Sequence, residues 1–321
     1  MVCRRVFYEA DTPAYFRIGG GLMKFPFDLS ANKIRIIDVG ARAVPEGVHY
    51  EALVDSNACV VTAVEPDAKA NKWLTNRAID KIYNVAIGDG GVHEMHVCQL
   101  ASCSSVLPPN KSCLELYSGM EFFYRVEKKN PIKTCEFDVV FSDAHFDYLD
   151  IDVQGYELEV LKSGGRNIKN LLGIHIEVSF VEKYVGQPLF RDVDAFLAER
   201  DFTFHCFTGY GTRSPRGVKV DGSSVNGINQ WLWADAFYFH RLDDDEFWRV
   251  SNRLVKLACI FHCVYKSYDF ALHALKRCDQ LGRSTYCHEY VRYLQEMGVD
   301  VEEGEDSERI MEGMIKKLSL V

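Results

Sequence analysis

Hydrophobic positions follow two different periods along this chain, and the change from one to the other divides it. Up to residue 240, short apolar runs recur at 34–39 (IRIIDV), 59–64 (CVVTAV), 82–87 (IYNVAI), 148–153 (YLDIDV), 172–178 (LGIHIEV), 202–207 and 231–240 (WLWADAFYFH). They are rich in β-branched and aromatic residues, which predicts strands, several of them buried on both faces. Between them lie stretches of helical spacing at 68–79 and at 190–200, where Val193, Phe196 and Leu197 share a face. Residues 93–98 read as a strand returning from a hairpin turn at 88–91. Residues 101–135 are weakly patterned, with a helical tendency over 114–126, and 208–230, rich in Gly, Ser and Arg, read as a mobile loop. From Asp243 the period changes. Phe247, Val250, Leu254, Leu257, Phe261 and Val264 are spaced 3, 4, 3, 4 and 3, the stripe of one long amphipathic helix with Asp243 to Asp245 at its start. Further helices are predicted at 268–279, 284–297 and 306–318. The expected organisation is a leading segment over 1–30 with a turn at Gly19 to Gly21, an α/β domain over 31–242, and a helical extension over 243–321. The extension's stripe should bury against the main domain or a second copy of the chain.

Residues 146–165 (FDYLDIDVQGYELEVLKSGG) organise the functional reading. Asp150 and Asp152 interrupt an apolar strand, which a buried strand does not tolerate without compensation. Gly155 then opens a helix with Leu158 and Leu161 on one face, closed by Gly164 and Gly165. An acid where a parallel strand meets a helix faces the crevice in which open α/β sheets bind ligands, so Asp152 is a ligand-facing candidate. The first strand ends similarly, in Asp38 followed by Gly40 and Ala41. A small residue there lets backbone approach a ligand closely, and a strand-end acid can meet a cationic amine. The second strand ends in Glu65, Pro66 and Asp67: Glu65 suits the two hydroxyls of a ribose, and Asp67 the N-cap of the next helix. His175 and Glu177, two apart, share one face of their strand.

The run D-I-D-V-Q-G-Y-E-L-E-V-L-K-S-G resembles the signature of the FkbM family of S-adenosylmethionine-dependent methyltransferases, and the wider resemblance spans about residues 34–240 in family order. Gln154 departs from it, since many members carry Glu there. The resemblance implies a Rossmann-like methyltransferase fold: a mostly parallel seven-stranded sheet with helices on both faces, here with a C-terminal helical appendage. It implies S-adenosyl-L-methionine as cofactor and a hydroxyl of a small-molecule or glycan acceptor as methyl target. Asp38, Gly40, Ala41, Glu65 and Pro66 would contact the cofactor. Its adenine would lie near the 88–91 turn, beside the backbone of Ala86 and Ile87 and the side chain of Asp89. Residues 101–110 correspond to a serine-bearing segment near the cofactor, and Tyr184, Gln187, Pro188 and Phe190 to a loop over the site. The candidates for accepting the hydroxyl proton are His175, Asp152 and Glu177. His175 is preferred because an unperturbed imidazole titrates near ~6.5.

Charge and composition narrow the classes. With 37 Lys and Arg against 46 Asp and Glu the net charge is −9, which repels phosphate backbones and argues against nucleic acid as partner. Gly40 stands outside any GxGxxG fingerprint and no Walker loop occurs, which weakens the alternative of a nucleotide-cofactor oxidoreductase. Acids at four strand ends argue against a catalytically silent binding protein. The 11 cysteines are scattered. Cys259, His262 and Cys263 could make half a metal site, but no second pair matches, so buried thiols in a reducing compartment and no metal are expected. The N-terminal residues lack an apolar signal core and no segment reaches the ~20 apolar residues of a membrane span, so a cytoplasmic protein is expected.

Overall fold

The structure, a computed structural model, describes residues 24–41, 48–68, 79–223, 225–250, 252–282 and 284–301. Its strands are β1 (Ile34–Val39), β2 (Cys59–Val64), β3 (Ile79–Tyr83), β4 (Ala86–Ile87), β5 (Val92–Cys98), β6 (Val126–Cys135), β7 (Tyr148–Ile151), β8 (Gly173–Ser179), β9 (Phe202–Thr212) and β10 (Trp231–His240). Seven of them form one sheet in the order β3-β2-β1-β7-β8-β10-β9. Strands β3, β2, β1, β7 and β8 are mutually parallel, and β10 runs antiparallel to both β8 and β9. The chain leaves β1 toward β2 on one side and reaches β7 on the other, so the order reverses between β1 and β7. That switch point opens a crevice at the strands' carboxyl ends.

Alternation assigns the two faces of the sheet. Ile37, Val39, Leu149, Ile151, Ile174 and Ile176 pack under Leu158, Leu161, Val193 and Leu197 of the helices Glu157–Ser163 and Phe190–Ala198. Ile34, Ile36, Tyr148, Phe237 and Phe239 face the other way, against Leu254, Leu257 and Phe261 of the C-terminal extension. The stripe residues Leu254, Leu257 and Phe261 are therefore covered by the main sheet, each buried Leu contributing about 1.5–3 kcal/mol. Lys256 adds a buried ion pair across this contact, Nζ to Asp147 Oδ2 at 2.8 Å. Among the described residues no helix is long and apolar enough to cross a membrane.

Several expected elements differ in detail. The 82–87 run is not one strand: Asn84 turns the chain out of the main sheet, its Nδ2 donating to the Glu65 carbonyl (2.9 Å), and β4 joins a separate sheet ordered β4-β6-β5. The strand at 92–98 therefore pairs with β6 rather than folding back in a hairpin on 82–87. Strand β6 was hidden because most of its side chains are exposed or half-buried, which leaves little apolar alternation to read. In place of a helix over 114–126 stand two short turns of helix, Lys111–Leu114 and Met120–Phe123. Strand β9 runs on to Thr212, shortening the expected 208–230 loop.

The stripe beginning at Phe247 is broken. A short helix, Asp245–Trp248, capped by Asp244 Oδ1 accepting from the Phe247 N–H (3.0 Å), is separated from Arg253–Ile260 by Asn252 at φ +70°. Asn tolerates that left-handed conformation, and Val250 is left exposed as a result. The extension continues through a π-helical turn, Phe261–Tyr265, to the helices Tyr268–Gly282 and Tyr286–Glu296. The expected leading segment up to residue 23, the helix after β2 and the helix at 306–318 lie outside the described residues.

Candidate active site

Four polar or aromatic side chains line up in one row across the face that the extension covers. Asp38 of β1 stands opposite Asp150 of β7, which is opposite His175 of β8, which is opposite Phe237 of β10. Two residues further toward the crevice come Gly40, Asp152 and Glu177, the last opposite Asp235. The sequence-derived acids thus fall into an inner row, buried in the sheet, and an outer row at its rim.

The loops after β1 and β7 touch at the rim. Gly40 has φ +85°, and a Cβ there would lie 2.1 Å from the Asp152 carbonyl oxygen, so no other residue fits. Backbone bonds complete the junction: Asp152 N–H to Val39 O (3.0 Å), and Gly40 and Ala41 N–H to Val64 O (2.9 and 3.1 Å). Asp38 accepts from Tyr50 Oη (2.6 Å), which orients its carboxylate. Glu65 is buried at the tip of β2, and its Oε1 accepts the Asp67 N–H (2.8 Å). Asp67 is thereby turned toward Glu65, while the helix it was expected to cap lies outside the described residues. Ala86 and Ile87 form β4, which pairs with Thr134 and Cys135 of β6. Asp89 is half engaged in its own turn: its Oδ1 accepts from Gly91 N–H (2.8 Å), His93 Nε2 (2.7 Å) and Thr134 Oγ1 (3.0 Å). Those bonds, His93 foremost, hold its carboxyl far below the usual range.

At the end of β7, Gln154 rather than an acid links the loops. It sits at φ +58°; its Nε2 donates to Asp152 Oδ1 (2.6 Å), its Oε1 accepts from Tyr184 Oη (3.1 Å), and its carbonyl accepts from Ser105 Oγ (2.7 Å). The serine-bearing segment does reach the rim by this bond. Glu157 closes the turn from below, its Oε1 accepting both the Val153 and Gly155 N–H groups (3.1 and 3.0 Å). Burial, and next the nearby Glu177, push the Glu157 carboxyl up to about 8.

Strand β8 and the loop after it form the far wall. Glu177 Oε1 accepts from Lys183 Nζ (2.8 Å), and both side chains are buried. Gln187 pins that loop, accepting the Lys183 N–H (3.0 Å) and donating to Ser179 Oγ (2.9 Å). Tyr184 and Gln187 therefore belong to the wall, whereas Phe190 packs against Phe180, Phe204 and Phe207 beneath the opposite face. His175 lies in the inner row, 6% exposed, stacked on His49 and with Nδ1 3.1 Å from Tyr265 Oη.

Sequence reasoning did not single out His49, Glu157, Lys183 or Tyr265, and it marked Gln154 only as a departure from the family pattern. Glu157 carried a signal, an acid two residues past a helix-opening glycine; Lys183 and Tyr265 carried none, because their partners lie on other elements. The donor set around the glycine junction is acidic and small: Glu65 and Asp152 at the rim, with Asp38 one row below. This suits a ligand that is cationic at one end and bears hydroxyls at the other.

No curated protein matches the chain. The Methyltransferase FkbM domain matches residues 38–204, more than half of the chain, from Asp38 through Asp150, Asp152, His175 and Glu177 to the far wall. With that match and a seven-stranded sheet whose acids gather at the switch point, the chain belongs to the FkbM methyltransferase family.

Proposed function

We propose that the chain transfers a methyl group from S-adenosylmethionine to a hydroxyl oxygen of a small-molecule acceptor, a sugar or glycosylated metabolite. The observation that supports this best is the contact of Gly40 with Asp152, which brings an acid to the switch point of a methyltransferase sheet. When bound, S-adenosylmethionine supplies an electrophilic methyl on a sulfonium centre. In this reading Asp38 meets its amino group, Glu65 its ribose hydroxyls, and the backbone of Ala86 and Ile87 with Asp89 its adenine. Gly40, Ala41 and Pro66 provide surfaces that the cofactor can approach closely.

Methyl transfer is an in-line displacement, so much of the protein's work is alignment, worth effective molarities on the order of 10⁵ M or more in well-oriented cases. An alcohol must also lose its proton. Asp152 is the candidate that the geometry favours: it is half-buried at the rim and oriented by Gln154. Glu177 is held by Lys183 and serves the wall, and His175 lies one row deeper. This shifts the proton-accepting role from His175 to Asp152.

Isothermal calorimetry with S-adenosylmethionine, NAD and NADP tests the cofactor, and labelled S-adenosylmethionine with fractionated cell extract tests the transfer. Binding of S-adenosylmethionine alone and a labelled product are expected. Asp152→Asn should cut turnover by roughly 10²–10⁴ with cofactor affinity nearly intact. NAD binding, or full turnover in Asp152→Asn, would overturn the corresponding half of the reading.

A further inference from the structure

Beneath the rim, three side chains from distant parts of the sequence converge. His49 precedes the helix Glu51–Asp55, Asp150 lies in β7, and His175 stands opposite it in β8. One candidate ligand atom from each lies within 4.8 Å of the others. His49 Nδ1 is 3.5 Å from Asp150 Oδ2, and the two imidazoles stack with centroids 3.6 Å apart at 12°. That nitrogen–oxygen separation exceeds the ~2.7–3.2 Å of an N–H···O hydrogen bond. It is close to the edge of a tetrahedron whose metal–ligand bonds are ~2.0–2.1 Å, which is about 3.4 Å.

The other ring nitrogens are tied down. His49 Nε2 is 2.7 Å from Tyr148 Oη, His175 Nδ1 is 3.1 Å from Tyr265 Oη, and the two tyrosine hydroxyls are hydrogen-bonded to each other. Holding the second nitrogen in this way is how proteins orient metal-binding imidazoles and select their tautomer. Two stacked imidazoles would repel if both were protonated, whereas neutral rings can share a cation with the carboxylate.

We propose that His49, Asp150 and His175 bind a divalent transition-metal ion of the zinc type, through His49 Nδ1, His175 Nε2 and one Asp150 oxygen. Two imidazoles and one carboxylate suit zinc, cobalt or ferrous iron; magnesium and calcium favour oxygen ligands throughout. Because the rings stack, binding turns one imidazole about its Cβ–Cγ bond, and the longer of the two tyrosine contacts, His175 Nδ1 to Tyr265 Oη at 3.1 Å, is the one that gives. The ion would fasten β7 and β8 to the segment that leads into the Glu51–Asp55 helix. Tyr148 and Tyr265, the latter from the C-terminal extension, would be its outer partners. This site stands apart from the methyl-transfer reading and is tested without turnover.

The full chain, stripped with a chelator, is titrated with Co²⁺ and then Zn²⁺, followed by visible absorption and calorimetry. One ion per chain with micromolar or tighter affinity is expected, together with cobalt d–d bands of a nitrogen and oxygen site. His49→Gln and Asp150→Asn should each weaken binding at least about tenfold with circular dichroism unchanged. Should Asp150→Asn fail to fold, His49→Gln, on a half-buried side chain, decides the matter. The proposal is overturned by absence of binding at high-micromolar metal or by unchanged affinity in His49→Gln. A thiolate-to-cobalt charge-transfer band would also overturn it, pointing instead to Cys259 and Cys263, whose sulfurs lie 3.8 Å apart.

Discussion

Lys183 Nζ lies 2.8 Å from Glu177 Oε1, with both side chains buried in the wall of the crevice. Removing one member of such a pair leaves the other charge uncompensated in a low-dielectric site. Lys183→Met should therefore lower unfolding free energy by about 3–5 kcal/mol, and the double variant with Glu177→Gln should recover much of that loss. Chemical denaturation of the three variants measures both effects. A loss in the single variant below about 1 kcal/mol would mean that the pair is exposed to water.

Glu65 provides the test of the proposed ribose contact. Glu65→Ala removes a charged acceptor worth about 1.5–3 kcal/mol, so S-adenosylmethionine should bind one to two orders of magnitude more weakly. Glu65→Gln keeps an oxygen for the Asp67 N–H and isolates the effect of charge. An unchanged dissociation constant in a folded variant removes Glu65 from the site.

Glu157 sets a pH dependence. Its carboxyl is raised from 4.5 to about 8 by burial, with Glu177 adding to the effect. Between those values the folded chain holds a proton that the unfolded chain has released. Its contribution to stability is therefore full below about 4.5 and lost as pH rises toward 8. Glu157→Gln should flatten that fall, melting a few degrees above the parent at pH 8 and close to it at pH 5. Parallel melting curves for the two proteins across this range would place Glu157 in contact with water.

Leu257 is fully buried between the extension and the main sheet. Leu257→Ala should cost about 2–5 kcal/mol through the cavity it leaves. Leu257→Asp should leave the chain insoluble or unfolded, since it forces a charge into that apolar contact. Thermal unfolding of the Ala variant and the soluble yield of the Asp variant measure these outcomes. A Leu257→Asp protein as stable as the parent would show that the extension can leave the sheet.

Much of this was legible in the chain itself. Apolar runs ending in Asp38, Glu65 and Asp152 mark strands with acids at their tips, because strand periodicity and the demand that buried charge be compensated both act within a few residues. The helix after Gly155 and the amphipathic spacing from Phe247 are local in the same sense. Where the local signal was weak, as over 126–135, the strand passed unseen because few of its side chains are buried.

What the tertiary structure decided were the partnerships. Only the register of β7 against β8 sets Asp150 rather than Asp152 opposite His175, moving the histidine a row below the rim. Only the folding of the extension onto that face brings Tyr265 to His175, 90 residues away in sequence. Lys183 finds Glu177, and His49 finds His175, by the same means. Propensity and period are properties of a few neighbouring residues. Which charge meets which depends on the relative placement of whole strands and helices, and that follows from how their apolar faces pack.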